Sequence, residues 1–182
     1  MKKTLTIVLS IVIALGVVLG IPAITIFSHR NVAVTLEESV KAQYTSNKSN
    51  YDSMVKSAKE MAQVTDMYAE DFERIYSDLI SGRNQDTQLL FKVVKESNPT
   101  LDSTLYTTLQ REISANRKTF DNNQATLVDK IREYNTYIKK KFIMAAITGR
   151  SEINADEYIV TSSETTNAFN TGEADVIDLR GK

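Results

Sequence analysis

An uncharged apolar run near the N-terminus constrains this chain more than any other feature. After two lysines, residues 4–28 carry no formal charge, and residues 5–27 read LTIVLSIVIALGVVLGIPAITIF. About 20 consecutive apolar residues are enough to cross the hydrocarbon core of a bilayer as an α-helix. We therefore predict an N-terminal membrane anchor over residues 1–28, with the lipid bilayer as the partner of residues 5–27.

A cleaved secretory signal peptide is the alternative explanation of this run. The apolar centre of a signal peptide usually has about 7–15 residues and ends at a site with small side chains. Here the tripeptide IPA at residues 21–23 places a bulky isoleucine where that site needs a small residue, and the apolar run continues to Phe27. These two features favour an anchor that is not cleaved.

The basic residues that flank the run predict its orientation. Lys2 and Lys3 precede it directly, whereas Arg30, Lys41 and Lys48 follow at increasing distance. Lysine and arginine close to a span favour the cytoplasmic side. The pattern therefore favours a single-pass membrane protein with a cytoplasmic N-terminus and its body on the extracytoplasmic side.

The composition is a poor source of catalytic groups. The 182 residues include no cysteine and one histidine, His29, which adjoins the apolar run. Disulfides, thiolate zinc sites and cysteine nucleophiles are thereby excluded, and the sequence has no phosphate-binding glycine loop or G-x-S-x-G elbow. A net charge of −1 does not favour nucleic-acid binding. We predict a protein that is not an enzyme, with no catalytic, cofactor-binding or metal-binding residue, no cofactor and no nucleic-acid partner.

Apolar residues at seven-residue spacing predict a long first helix in the body. The stripe begins at Tyr51, continues through Ala58 and Phe72, and reaches Leu79, with Gly82 as its end. Residues 35–44 can extend this helix upstream. The polar stretch TSNKSN at residues 45–50 forms helix poorly, so a bend or a loosened turn is possible there.

Two further helices complete the predicted body. A short one covers residues 86–96 and stops before Pro99. A long one begins near Asp102 or Ser103, with an apolar stripe listed here: Leu105, Tyr106, Leu109, Ile113, Phe120, Leu127, Ile131, Tyr134 and Ile138. The predicted fold is all-α, an N-terminal transmembrane helix followed by an antiparallel bundle of three main helices over residues 32–148. Because the short helix cannot cover the long ones, the rest of their length must pair within the chain or with a second copy, which makes a homo-oligomer possible.

Two charged clusters each have a structural and a functional interpretation. With three helices the last runs in the direction of the first, so residues 139–141, three lysines, are expected far from the span and complement the helix dipole. A basic patch on lipid headgroups is the alternative. Residues 70–73 contain three carboxylates beside apolar positions and are interpreted as a solvated helix face rather than a divalent-cation site.

The last segment and one amide complete the predictions. Residues 149–182 are polar and acidic, which predicts a mostly disordered tail in which only residues 175–179, DVIDL, can dock. Asn135 follows Tyr134 at the edge of the buried stripe. We predict that its amide is a structural hydrogen-bond partner of the opposing helix or of the break after the first helix, and contact with a ligand is the alternative.

The body resembles the LemA family of membrane-anchored helical proteins, most of all in its second half. The residues that carry the resemblance are Pro99, Leu101, Leu109-Gln110 with Glu112, Asn116-Arg117 and Glu133-Tyr134-Asn135-Thr136, preceded by LLFKVVKES at residues 89–97 and YDSMV at residues 51–55. The resemblance covers residues 37–142 and the anchor, and a phage genome is one possible source of so divergent a member. The family proline is replaced by Val55 and its tyrosine before Pro99 by Asn98. The resemblance implies membrane attachment and helical architecture, and no catalytic residue.

These observations favour a membrane-anchored helical module that binds or scaffolds an unidentified envelope protein. An extracytoplasmic sensor is the first alternative, although the sequence shows no second span to carry a signal inward. A phage lysis protein or envelope-spanning coiled coil is the second alternative, which would share the anchor and the heptads but not the Asn116-Arg117 pair.

Overall fold

The described part of the chain is all-helical. The computed structural model describes residues 2–84, 86–100 and 102–160, and these contain five α-helices and no strand, which confirms the all-α class predicted from the sequence. The helices are α1 (Lys2–Met61), α2 (Asp66–Ile80), α3 (Thr87–Ser97), α4 (Ser103–Lys140) and α5 (Phe142–Ile147), followed by a single 3₁₀ turn at Ala155–Glu157.

The first half of α1 contains the apolar run. It is the one helix in the described residues that is long and apolar enough to cross a membrane, and none of its apolar stretch is buried. A signal sequence and the core helix of a soluble protein can have the same length and composition. Pro22 lies inside α1 without ending it.

The bend predicted at residues 45–50 is absent, because α1 continues through them as one helix. Its polar side chains form hydrogen bonds instead. Asn47 Nδ2 donates to the carbonyl of Asn123, at 2.9 Å, and the amide of Gln43 donates to Asn47 Oδ1, at 2.8 Å. These contacts offset the low helix propensity of the stretch.

The helix predicted from Tyr51 to Leu79 is two helices. α1 ends at Met61, Gln63 adopts a left-handed backbone with φ of 49°, and α2 begins at Asp66. The backbone N–H of Thr65 donates to Ser97 Oγ at 2.8 Å, so the end of α3 holds this turn. The heptad missed the break because the apolar stripe resumes in α2 in almost the same phase, where Phe72 and Leu79 are fully buried.

This additional turn reverses α4 relative to the prediction. Four helices in up-and-down order make α4 antiparallel to α1, whereas three make them parallel. Tyr51 of α1 packs on Phe120 of α4 with ring centroids 5.6 Å apart, and the earlier Asn47 bonds to the later Asn123, as antiparallel helices require. The number of main helices and the direction of the last one were therefore both predicted wrongly.

The described residues form two compact units. The first comprises the described residues of Met1–Lys41 with Asp129–Asn154, and the second those of Ala42–Val128 with Ala155–Lys182. The core of the second unit consists of Val55, Ala58, Ala62, Phe72, Ile75, Tyr76, Leu79, Ile80, Leu90, Val94, Leu109 and Ile113. The predicted division into anchor, bundle and tail stays a prediction.

The start of the predicted tail differs from the expectation. Ser151 and Ile153 are hydrogen-bonded to side chains of α4, so the residues just after Gly149 are structured. The expectation failed because a polar segment has no apolar period by which packing can be recognised. The rest of the predicted tail, from residue 161 and including residues 175–179, lies outside the described residues.

Candidate functional site

The second unit carries a groove with a volume of about 730 Å³. Four segments contribute to it: α1, α2 with the turn that follows, the middle of α4, and the chain after the 3₁₀ turn. The lining residues are Tyr44, Asn47, Lys48, Tyr51, Asp52, Val55, Glu70, Glu73, Arg74, Ser77, Arg83, Phe120, Gln124, Leu127, Tyr158 and Val160. Its volume lies within the range of about 300–1,000 Å³ that is typical of ligand-binding pockets.

Aromatic rings form much of the groove. Tyr44 and Tyr158 meet edge to face with centroids 5.2 Å apart, and Tyr51 is tilted against Phe120 at 5.6 Å. Both spacings are favourable for aromatic pairs. The hydroxyl of Tyr51 donates to the carbonyl of Ser77 at 3.0 Å, which fixes this ring against α2. The floor is therefore apolar and held in place by neighbouring elements.

The rim of the groove carries charges of both signs. The acidic members are Asp52, Glu70 and Glu73, and the basic members are Lys48, Arg74 and Arg83. Asp52, Glu73 and Arg74 form ion pairs with neighbouring side chains, and Lys48 Nζ lies 5.8 Å from the ring centroid of Tyr44. Glu70 and Arg83 are exposed and form no ion pair within the described residues. A rim of balanced charge suits a partner that also carries both signs.

One polar atom in the groove wall lacks a partner. Gln124 Oε1 is buried and accepts no hydrogen bond within the described part of the chain. A buried acceptor without a donor costs about 1–3 kcal/mol.

The Asn116-Arg117 pair fixes α2 beside this groove. Asn116 Nδ2 donates to the hydroxyl of Tyr76 at 2.8 Å. Arg117 donates from Nε and Nη2 to the carbonyl of Leu79, at 3.0 and 2.6 Å, and from Nη2 to that of Asn84 at 3.3 Å. The guanidinium thus satisfies carbonyls at the C-terminal end of α2, where intrahelical donors run out. Burial raises the pKa of Tyr76, and the hydrogen bond from Asn116 lowers it in part.

In the first unit Asn135 clamps the chain that follows α5. Its Nδ2 donates to the carbonyl of Ile153 and its Oδ1 accepts from the N–H of Ile153, both at 2.8 Å. The Tyr134 hydroxyl donates to the carbonyl of Ser151 at 3.0 Å, and Arg150 pairs with Glu37 of α1. Asn135 is hydrogen-bonded as predicted, but the partner named for it was wrong: the amide holds a later extended segment.

The other residues singled out from the sequence are also placed. His29 Nδ1 lies 2.7 Å from the hydroxyl of Tyr137, and burial raises the pKa of that tyrosine. Lys139 pairs with Glu152 at 3.0 Å. The carboxylates of residues 70–73 are divided between Arg74, Lys59 and solvent, and within the described residues no three His, Cys, Asp or Glu side chains are grouped to hold a metal ion.

Sequence reasoning missed most of the groove. Tyr44 and Tyr158 are far apart in the sequence, and each reads as an isolated aromatic residue. Tyr158 lies in the part interpreted as a disordered tail. The available signal was the short apolar group Tyr158, Ile159 and Val160 within a mainly polar segment.

Comparison with known proteins identifies no relative: no family model, curated protein or solved structure matches this chain.

Proposed function

We propose that this chain is a membrane-anchored helical protein of the LemA type that holds a segment of an envelope protein in the groove of its second unit. The groove carries the proposal: it joins an aromatic floor to a rim of balanced charge. Polypeptides match this chemistry, because they bring apolar side chains, backbone N–H groups and charges of both signs together. A polyanion would not match the three rim carboxylates.

Membrane attachment is supported by the first half of α1. Its apolar side chains are unburied, and Leu5 and Ile24 are each 71 % exposed. A soluble protein rarely leaves so large a continuous apolar surface in water. A bilayer around residues 5–27 removes that cost, and the lysines before the run favour a body on the extracytoplasmic side. In this proposal α1 is an uncleaved anchor that continues into an antiparallel bundle.

The LemA assignment rests on its landmark residues and on what they do here. Asn116 and Arg117 secure the end of α2, and Asn135 secures the segment after α5. Asn116 bonds the hydroxyl of the buried Tyr76, Arg117 the carbonyl of the buried Leu79, and Asn135 both backbone groups of Ile153. A family landmark of this kind is a property of the architecture, and it supplies no catalytic group.

Site-directed crosslinking in native membranes tests the proposed function. The natural chain has no cysteine, so Arg83→Cys at the groove rim and Lys118→Cys on an exposed face of α4 each provide a single attachment point for a photoactivatable maleimide. We expect Arg83→Cys to give one discrete adduct with an envelope protein, and Lys118→Cys to give none.

The competing outcomes are distinguishable by the mass of the adduct. An adduct of two copies of this chain assigns the groove to self-association. Co-purification of a small molecule in native mass spectrometry, lost in Tyr158→Ala, favours the sensor alternative. Identical adduct patterns from both positions reject the groove as the binding surface.

A further inference from the structure

The turn from α4 into α5 exposes large apolar side chains. Phe142 is 68 % exposed, Ile143 57 % and Ile147 58 %, although α5 has only six residues. Ala145 of the same helix is buried. One side of α5 therefore packs on its own unit, and the other presents apolar surface that the described part of the unit leaves uncovered.

The same turn is basic. Residues 134–151 contain no aspartate or glutamate. Lys139 is paired with Glu152, but Lys140 and Lys141 are exposed and form no ion pair within the described residues. Two lysines thus stand directly before the exposed Phe142, and neither is paired with an acidic side chain among the described residues.

Contacts within the first unit place this turn at the end of the apolar run. Tyr137 of α4 meets His29 of α1, two residues after Phe27, with 2.7 Å between its hydroxyl and His29 Nδ1. Since α4 runs antiparallel to α1, each residue after Tyr137 lies about 1.5 Å closer to the apolar run. Lys140 and Lys141 are therefore level with the last turn of residues 5–27.

We infer that the α4–α5 turn, residues 140–147, is a second membrane contact that recognises an anionic phospholipid surface. Lys140 and Lys141 lie on the headgroups, and Phe142 and Ile143 enter the interfacial region beside α1. The inference rests on the proposed anchoring of residues 5–27. It goes beyond that proposal, because an anchor alone requires neither a basic turn nor an apolar α5.

Charge and polarity together favour lipid over a protein surface as the occupant. Lysine stems lie along apolar surface while their ammonium groups remain in the polar region, and basic residues near an anionic leaflet contribute favourably and nearly independently. The exposed apolar patch of α5 directly follows the lysines. It lies at the height at which residues 5–27 would leave the bilayer. A buried protein interface would instead disfavour unpaired lysines at its centre.

Fluorescent labelling of single cysteines tests this placement in the full-length protein. Ile143→Cys, Glu133→Cys and Val12→Cys are each labelled with an environment-sensitive dye and reconstituted in nanodiscs, made either of phosphatidylcholine alone or with added phosphatidylglycerol. With anionic lipid we expect the Ile143 label to shift to the blue and to resist aqueous iodide. Glu133 is exposed, and lies earlier on α4, so its label should remain accessible to iodide.

The lysines are tested by a charge-matched pair of variants in the Ile143→Cys background. Lys140→Gln with Lys141→Gln should lower the ratio of protected to accessible label about thirty-fold in anionic nanodiscs, if each lysine contributes its usual share. Lys95→Gln with Lys118→Gln removes the same charge from exposed positions elsewhere and should leave the ratio unchanged.

Each outcome decides one proposal. A Val12 label protected by the acyl chains, together with a water-exposed Ile143 label in both lipids, overturns the second contact and leaves the anchor intact. A water-exposed Val12 label overturns the anchor itself. Protection of Ile143 that depends on the number of copies per nanodisc, and not on anionic lipid, assigns the turn to a second copy and also overturns the inference.

Discussion

Two phenylalanines divide this molecule into contrasting regions. Phe72 of α2 is fully buried, whereas Phe142 at the start of α5 is 68 % exposed. Phe72 stacks on Tyr76 with centroids 5.6 Å apart, inside a core built from four helices. Phe142 follows a run of lysines on a short helix. The same type of side chain is therefore buried in the core around α2 and exposed to solvent at the start of α5.

The contrast separates a region that buries its own apolar side chains from one that exposes them. The core around α2 buries its own apolar residues and fixes the end of α2 through Arg117. The α4–α5 turn buries only Ala145 among its apolar residues and leaves Phe142, Ile143 and Ile147 exposed. Apolar exposure beside basic residues is costly in water and favourable at an anionic interface.

The largest expected effect separates these two phenylalanines. Phe72→Ala should lower the free energy of unfolding by about 3–5 kcal/mol, because a large buried ring leaves a cavity. Phe142→Ala should change it by less than about 0.5 kcal/mol in detergent, as expected at an exposed position. Denaturant titration of the full-length protein, followed by circular dichroism, measures both. Equal losses would show that the turn belongs to the core.

Much of the helical core was predictable, because burial repeats with the helical period. The stripe of α4 from Leu109 to Ile138 was identified from spacing alone, and so were the bounds of α3 to within one residue. The break at Gln63 was not. A left-handed residue that is not glycine has little sequence signature. Missing this one turn reversed the predicted direction of α4. It also put residues 139–141 far from the apolar run, whereas the neighbouring Tyr137 contacts His29.

The candidate groove could not be assembled from the sequence for a related reason. Its rings come from segments that meet only after the chain has turned several times, such as Tyr44 in α1 and Tyr158 after the 3₁₀ turn. Polar side chain to backbone contacts between distant segments have no period in the sequence.

The second expected effect concerns Arg117. Arg117→Ala should cost about 1.5–3 kcal/mol, because charged hydrogen bonds to the carbonyls of Leu79 and Asn84 are lost. Arg117→Lys should recover only part of the lost free energy of unfolding, since one ammonium group cannot reproduce the guanidinium fork that holds both carbonyls. Lys118→Ala, at the exposed neighbouring position, is the control and should stay within about 0.5 kcal/mol. The same denaturant titration applies, and a full rescue by lysine would contradict the role of the fork.

The third expected effect is the counterpart in the first unit. Asn135→Ala should cost about 1–3 kcal/mol, because both backbone groups of Ile153 lose their partner. Hydrogen exchange measured by mass spectrometry should show faster exchange of the Ile153 amide. Thr136 is exposed, so Thr136→Ala serves as the control and should leave stability and exchange nearly unchanged. Loss of partner capture without any change in stability or exchange would assign Asn135 to the functional surface instead.

The smallest expected effect compares one tyrosine from each region as the pH rises. Burial raises the pKa of Tyr76, which the hydrogen bond from Asn116 lowers in part, and burial also raises the pKa of Tyr134, which the charge of Lys41 lowers in part. A phenol with a raised pKa in the folded state contributes stability that is complete below its unfolded pKa of about 10 and is lost as the pH rises through the folded value.

Tyr76→Phe and Tyr134→Phe should each cost about 1 kcal/mol at neutral pH through a lost hydrogen bond. Above about pH 10 this cost should shrink. The tyrosine of the wild-type protein then ionises more readily in the unfolded state than in the folded state, which lowers the stability of the wild type but not that of the phenylalanine variant. Unfolding measured at neutral and alkaline pH gives the difference between wild type and variant directly. A cost that grows with pH would mean that the ionised phenol is the form the fold stabilises. If the cost shrinks with pH for Tyr76→Phe but stays constant for Tyr134→Phe, water reaches the Tyr134 hydroxyl. That result would sharpen the contrast between the closed core of the second unit and the more open first unit.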